Sequence, residues 1–191
     1  MSELRVGRTG RTVLWAIFAA WTIWIWRDGS VREGMIGSPF LHMCLLPFHE
    51  AGHVIFRLLG HFMTILGGSL GQLLMPAVVA CAFLKKGDRF GAAIALWLLG
   101  FSLVDMAVYM YDAYDPKLVL LNGRTGAESD HHDWVNLFGD MGLLQRARGI
   151  GMFFAALGHL TMLASLVFAA MQLRHGTQMD ADDPLAADER R

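Results

Sequence analysis

The stretch Pro47-Phe48-His49-Glu50-Ala51-Gly52-His53 lies inside an apolar run that extends from about residue 35 to residue 59. A glutamate that follows the first of two histidines spaced four residues apart forms the H-E-x-x-H pattern. On an α-helix, His49 and His53 lie about 40° apart around the axis and one turn apart along it. The pattern therefore predicts that both imidazoles hold one metal ion.

Glu50 lies between the two histidines in angle, where its carboxylate can take a proton from a water that the metal activates. This arrangement predicts a zinc site with hydrolytic chemistry, in which Glu50 is the catalytic base. A carboxylate inside a membrane helix costs about 2.5 to 3.5 kcal/mol unless it faces a cavity or a polar partner. The alternative, in which both histidines only hydrogen-bond neighbouring helices, stays open.

Composition sets the class of protein. The chain has 191 residues, of which 54% are hydrophobic, and its mean hydropathy is +0.40. These values predict an all-α, polytopic integral membrane protein with a single domain over residues 1–175, and the lipid bilayer as its surroundings. A formal net charge of -1 gives no electrostatic case for binding nucleic acid.

Apolar segments predict about five transmembrane helices and one long polar loop. The spans fall near residues 12–26, 35–59, 62–84, 90–111 and 149–173, and the loop covers 113–148. A loop of this length in a small protein is usually functional or disordered, and its Asp130-His131-His132-Asp133-Trp134 run favours function. The charged segment 176–191 is predicted to be a disordered tail.

Two of the predicted spans carry polar stripes. In the third span, Gly67 to Gln72 reads either as a face for close helix packing or as a broken segment that presents backbone groups to a substrate. In the fourth span, Asp105, Tyr109 and Asp112 recur at helical spacing and share one face.

A catalytic zinc site needs a third protein ligand. Five alternating spans place the amino-terminal tail, the His53 end of the second span and the loop on one side of the bilayer. A small excess of lysine and arginine on that side favours a cytoplasmic site. The candidate third ligands on that side are His131, His132 and Asp133 of the loop and Asp105 and Asp112 of the fourth span.

The run Phe48 to His53, a Gly-rich segment in the next span and an aspartate-bearing helix after it resemble the site-two protease family of intramembrane zinc metalloproteases. The resemblance implies His49 and His53 as zinc ligands and Glu50 as the catalytic residue. It implies a protein of the bacterial inner membrane that cleaves a membrane protein or a membrane-near peptide. Asp105 or Asp112 matches only by helix order, because the Asn-Pro-Asp-Gly sequence usual in that family is absent.

The elements Gly67-Gly68-Ser69, Tyr111-Asp112-Ala113 and His132-Asp133-Trp134 also resemble small bacterial membrane proteins that carry the same His-Glu-Ala-Gly-His run. The His-Asp-Trp element recurs in those proteins. This resemblance favours His132 as the third metal ligand, with Asp112 retained beside it.

Two other functions remain open at this stage. The same metal could serve a zinc-dependent hydrolase of lipid amides or esters, since nothing in the sequence reads as a peptide groove. A non-catalytic metal-binding or haem-binding membrane protein is also conceivable, with His42 and His159 on different helices as axial ligands. That reading gives Glu50 no role.

Overall fold

The structure, a computed structural model, describes residues 7–121, 123–129 and 131–181, with side chains through residue 174. Over these residues the chain is all-helical, and β pairing is limited to two isolated bridges, Ser30 with Met35 and Val119 with Thr125. The α-helices of the described chain are α1 (Arg8–Asp28), α2 (Pro39–Phe56), α3 (His61–Lys85), α4 (Arg89–Asp112), α5 (Asp133–Asp140) and α6 (Ala147–Ala181).

A helix is present at each of the five positions where the sequence predicts a span. In the described part of the chain, three segments are long and apolar enough to cross a membrane: His61–Lys85, Arg89–Asp112 and Leu144–Arg174. The other two helices are more polar, because α1 carries four charged residues and α2 carries three histidines and a glutamate. Membrane insertion itself, and spanning by α1 and α2 in particular, stay predictions.

Helix α4 lies at the centre of the bundle and is buried along most of its length. It packs most extensively against α6. Gly100 and Gly158 allow this close approach, since a Cβ atom at Gly158 would lie 2.6 Å from the carbonyl oxygen of Gly100. Side chains from α1, α2 and α6 pack around Trp97 and Phe101 of α4 to form the main apolar core.

Helix α1 runs parallel to α4, contrary to the alternating topology that the sequence predicts. At its start, Arg11 lies 3.7 Å from Asp88, which precedes α4. Farther along, the Trp97 indole of α4 donates a hydrogen bond to the Thr22 hydroxyl at 2.8 Å. Arg8 and Arg11 therefore lie at the same end as the 86–88 turn. The charge excess that favoured a cytoplasmic site disappears once these arginines are moved to that end.

Helices α2 and α3 run antiparallel and meet through glycines. A Cβ atom at Gly67 would lie 2.6 Å from the carbonyl oxygen of Gly52, and one at Gly71 would collide with the carbonyl of Phe48. Helix α3 is continuous through this region, from His61 to Lys85. The Gly-rich segment is therefore a packing face that brings α3 onto the His49 to His53 turn.

The loop that follows α4 returns to the end of the bundle where α2 stops and α3 begins. His132 is the N-cap residue of α5, and its Nδ1 accepts a hydrogen bond from the Val135 N–H at 3.2 Å. The predicted loop 113–148 thus contains a short helix and the start of α6. Helix α6 continues through Ala181, and the rest of the predicted disordered tail, 182–191, lies outside the described residues.

Candidate metal centre

The two motif histidines are held by hydrogen bonds on the same ring nitrogen. His49 Nδ1 lies 2.9 Å from Gln72 Oε1, and His53 Nδ1 lies 2.8 Å from the carbonyl oxygen of Thr64. Both partners are oxygen acceptors, so each Nδ1 carries a proton and donates. A ring anchored in this way presents Nε2 toward a metal ion, as in histidine sites whose outer nitrogen is hydrogen-bonded.

Gln72 is itself oriented by contacts on its other side. Its Nε2 donates to the carbonyl oxygen of Ser102 at 3.2 Å and to Asp105 Oδ2 at 3.3 Å. These acceptors fix the amide so that its oxygen faces His49. Asp105 Oδ1 also lies 2.9 Å from His42 Nδ1. A chain of hydrogen bonds therefore links the fourth-span aspartate to the first motif histidine.

Asp133 lies between the two free imidazole nitrogens. Its Oδ2 is 3.1 Å from His49 Nε2 and 3.3 Å from His53 Nε2. A carboxylate oxygen and two lone pairs repel one another unless a proton or a metal cation lies among them. Burial raises the pKa of the Asp133 carboxyl, but when protons instead of a metal occupy the two Nε2 atoms, the hydrogen bonds that they donate outweigh burial and hold this pKa below its ordinary value.

The spacing of these atoms fits a tetrahedral metal shell. Ligand atoms about 2.0 to 2.2 Å from a tetrahedral zinc ion lie about 3.3 Å from one another, which is close to the two separations measured at Asp133. Glu50 is nearby as well, because ligand atoms of His49, Glu50 and His53 lie within 4.8 Å of one another. Two carboxylates, Asp133 and Glu50, therefore lie at the paired imidazoles.

Gly68 of α3 brings the helix backbone directly against the two imidazoles. A Cβ atom at this position would lie 2.5 Å from His53 Nε2 and 2.6 Å from His49 Nε2. A side chain here would enter the space that a metal ion held by both imidazoles would occupy. Only glycine allows α3 to approach the centre this closely.

Tyr109 of α4 borders the centre on another side. The backbone N–H of Asp133 donates to the Tyr109 hydroxyl oxygen at 3.1 Å. The Tyr109 ring packs on His132, with 4.1 Å between ring centroids, and lies 6.5 Å from the His49 ring. Tyr109 therefore contacts both residues at the start of α5.

The structure does not bring His132 and Asp112 to the motif histidines. His132 Nε2 lies 3.2 Å from Asp112 Oδ2, and its Nδ1 caps α5. Both ring nitrogens are thus engaged, and the ring is almost fully buried. Asp112 also accepts hydrogen bonds from the backbone N–H groups of Lys117 and Leu118. The pair fastens the loop to α4 and sets the position of the next residue, Asp133.

The remaining candidates occupy other places. His131 is exposed and lines the cavity beside the centre, and Asp105 is buried against His42 and Gln72. His159 lies at a second cavity and accepts a hydrogen bond from the Trp26 indole at 2.9 Å. His42 and His159 are thus engaged in separate places, which gives the two-histidine haem reading no support.

A cavity of about 560 Å³ opens beside the centre. His49, Glu50, His53 and Asp133 line one part of it, and His42 and Asp105 line another. The rest of the wall is largely apolar and comes from four elements and the loop after α4. The main apolar lining residues are Ile36, Leu46, Ile65, Met106, Val108 and Leu118–Leu121.

No protein-family model matches the chain, and neither does any curated protein or solved structure. The resemblance to the site-two protease family therefore rests on the short motif and stays an expectation. The candidate metal centre is supported by its own geometry alone.

Sequence reasoning placed Asp133 only among the neighbours of the favoured His132, and it did not connect Gln72, Thr64 or Tyr109 with the metal. A signal existed for two of them. Gln72 is a polar residue inside an apolar span, and Tyr109 shares a helix face with Asp105 and Asp112. Thr64 acts through its backbone carbonyl, and no side-chain pattern reveals such a role.

Proposed function

We propose that this chain is a membrane-embedded, zinc-dependent hydrolase, and that a metallopeptidase is its leading form. One observation carries the proposal: His49 Nε2, His53 Nε2 and Asp133 Oδ2 converge on one point in a cavity wall, with Glu50 beside them. Two imidazoles, one carboxylate and an open fourth position are typical of catalytic zinc sites. Zinc, when bound, would polarise a carbonyl and lower the pKa of a water toward ~7.

Each side chain of the centre has a separate role in hydrolysis. Glu50 is the general base that takes a proton from the attacking water and later gives it to the leaving group, a role worth about 10²- to 10⁴-fold in rate. His49, His53 and Asp133 hold the metal. Gln72 and Thr64 fix the two imidazoles in the tautomer and orientation that metal binding needs.

The outer surface of the bundle supports the proposal of membrane insertion. Val54, in the last turn of the helix that carries the motif, is 72% exposed, and Leu58, just after this helix, is 94% exposed. Large exposed apolar patches mark surfaces that contact lipid or partner proteins. Together with the three helices that are long and apolar enough to span, these side chains favour a lipid-facing surface. The bacterial inner membrane is proposed on the resemblance alone.

The apolar cavity wall favours a second candidate substrate. Leu118–Leu121 and Leu46 line the space next to the centre, and an acyl chain would bury apolar surface there. A zinc-dependent hydrolase of lipid amides or esters uses the same catalytic residues. Two assays distinguish these substrates. Cleavage of a quenched fluorescent transmembrane peptide in vesicles would report a peptidase, and mass spectrometry of the vesicle lipids would report a lipid hydrolase.

The decisive experiment combines metal analysis with one substitution. The purified protein is expected to hold about one zinc per chain. Glu50→Gln keeps the shape of the side chain but removes the base, so we expect full zinc content and at least about a 100-fold loss of hydrolysis. Glu33→Gln, at an exposed position between α1 and α2, serves as the matched control. Unchanged hydrolysis in Glu50→Gln, or a protein without stoichiometric metal, contradicts the proposal.

A further inference from the structure

Tyr109 is the one phenol in the wall of the cavity. It lies on α4 on the same face as Asp105 and Asp112, and its ring is held between His132 and the His49 side of the centre. Packing on the buried His132 restricts this ring to one place. The position of its hydroxyl is therefore set before any substrate binds.

The hydrogen bonding of Tyr109 leaves its proton available. The Asp133 N–H donates to the hydroxyl oxygen at 3.1 Å, so the phenol is the acceptor in that contact. A phenol accepts one hydrogen bond and donates another through its own O–H. Among the described residues, none accepts a hydrogen bond from this O–H. The O–H is therefore available to a group that enters the cavity, of which Tyr109 forms part of the wall.

The hydroxyl is also close to the metal centre. The same residue, Asp133, supplies the N–H that holds the phenol and the carboxylate that touches both imidazoles. Within one aspartate, these backbone and side-chain atoms lie about 3 to 4 Å apart. A substrate carbonyl placed at the centre would thus have the phenol on one side and Glu50 within reach on another.

We infer that Tyr109 is a further catalytic residue, whose O–H donates a hydrogen bond to the oxyanion that forms when water adds to the scissile carbonyl. The inference rests on the proposed hydrolase function. As the new C–O bond forms, the carbonyl π electrons move onto oxygen, and Glu50 takes the proton of the water. The oxyanion then re-forms the carbonyl, the bond to the leaving group breaks, and the proton passes from Glu50 to that group. Tyr109 keeps its proton throughout.

A fixed donor aimed at a developing negative charge contributes most in the transition state. Loss of one such donor typically lowers kcat by about 10²- to 10³-fold. A purely structural role predicts something different. If Tyr109 served only to hold the Asp133 N–H, its removal would disturb the metal ligands and weaken metal binding first.

The test uses Tyr109→Phe in the full chain loaded with Co²⁺, whose visible spectrum reports the ligand shell. The probe is acetohydroxamate, a small metal ligand that carries an anionic oxygen. We expect the Co²⁺ spectrum of the variant to match that of the wild-type protein, while its Kd for acetohydroxamate rises at least about tenfold. With a cleavable substrate, kcat should fall about 100-fold and KM should change less than about twofold.

Tyr111→Phe is the matched control, because Tyr111 lies on the same helix but packs near Arg148, 5.5 Å from its guanidinium. It should leave the Kd and kcat unchanged. Wild-type values for Tyr109→Phe overturn the inference, and so does loss of its Co²⁺ spectrum, which would make the phenol a support for the ligands. If Glu50→Gln abolishes hydrolysis and Tyr109→Phe does not, the proposed function stands and this inference alone falls. If the wild-type chain binds no Co²⁺, both the proposed function and this inference are overturned.

Discussion

At the scale of single residues, the neighbours His132 and Asp133 both carry groups that can bind a metal, but their roles in the structure differ. His132 is the N-cap of α5, so its ring folds back over the first turn and accepts the Val135 N–H. Its other nitrogen pairs with Asp112. Asp133, the first residue of the helix, projects instead toward His49 and His53. The cap thereby directs the next side chain to the metal centre.

This division predicts how substitutions at the two positions change zinc binding. Asp133→Asn keeps the size of the side chain but replaces an anionic ligand by a neutral amide, so zinc affinity should fall by at least about 100-fold. His132→Asn removes the imidazole but keeps a residue favoured at the N-cap, so about one zinc per chain should remain. Competition with a zinc-binding dye measures both affinities.

Circular dichroism provides the control for folding, since both variants change residues at the start of α5. His132→Asn should lower the unfolding temperature, because it leaves the largely buried Asp112 without its imidazole partner. Zinc lost from His132→Asn and retained by Asp133→Asn would return the third-ligand role to the histidine.

Local periodicity is sufficient to predict part of the centre. The spacing of His49, Glu50 and His53 on one helix brings their groups together wherever that helix lies, and the structure keeps the three groups within 4.8 Å. Asp133 is separated from His49 by 84 positions in the chain. Its placement depends on the path of the loop and on a cap that only the folded chain reveals, so the sequence could name it as a candidate but could not rank it.

At the scale of helices, α3 determines whether a metal can fit between the two imidazoles. Gly68 of α3 lies against both Nε2 atoms. We expect Gly68→Ala to lower zinc affinity by at least about tenfold, because the added methyl group would occupy the place of the metal ion. Helix propensity acts in the opposite direction, since alanine favours a helix over glycine by about 1 kcal/mol. Dye competition and the unfolding temperature separate the two effects.

Gly149→Ala provides the matched control for this change. Gly149 lies near the start of α6, and no heavy atom outside its own turn lies within 4 Å of an added Cβ. Its zinc affinity should stay that of the wild-type protein. Wild-type zinc affinity in Gly68→Ala as well would contradict the prediction, because it would mean that the added methyl group does not reach the metal ion.

Hydropathy predicts where helices lie along the chain but not the direction in which each helix runs through the bundle. All five apolar segments form helices close to the predicted positions, because apolar length is a local property of the chain. The direction of α1 depends on tertiary contacts such as Arg11 with Asp88. The connector between α1 and α2 folds back on itself, with Ser30 bridged to Met35, and nothing in segment hydropathy encodes that turn.

At the scale of the whole molecule, apolar surface continues from the helices onto the loop beside the cavity. Val119 is 71% exposed and Leu121 is 70% exposed, on a turn closed by the Val119 to Thr125 bridge. Both residues also line the cavity. Exposed apolar side chains in a polar loop are costly in water and stable at the boundary between lipid headgroups and acyl chains. We therefore expect this turn to enter the bilayer surface.

Spin labels in phosphatidylcholine vesicles test this placement. The labels are placed in a background of Cys44→Ala and Cys81→Ala, which removes both native thiols. Oxygen concentrates in lipid, whereas a nickel chelate stays in water. The spin relaxation of a nitroxide at Val119→Cys should therefore be enhanced more by oxygen than by the chelate. A label at Val78→Cys, on an exposed apolar position of α3, gives the lipid reference, and Lys86→Cys in the far polar turn gives the water reference. A Val119 label that matches Lys86 would place the turn in water. An apolar substrate would then have to reach the metal centre by another side of the cavity.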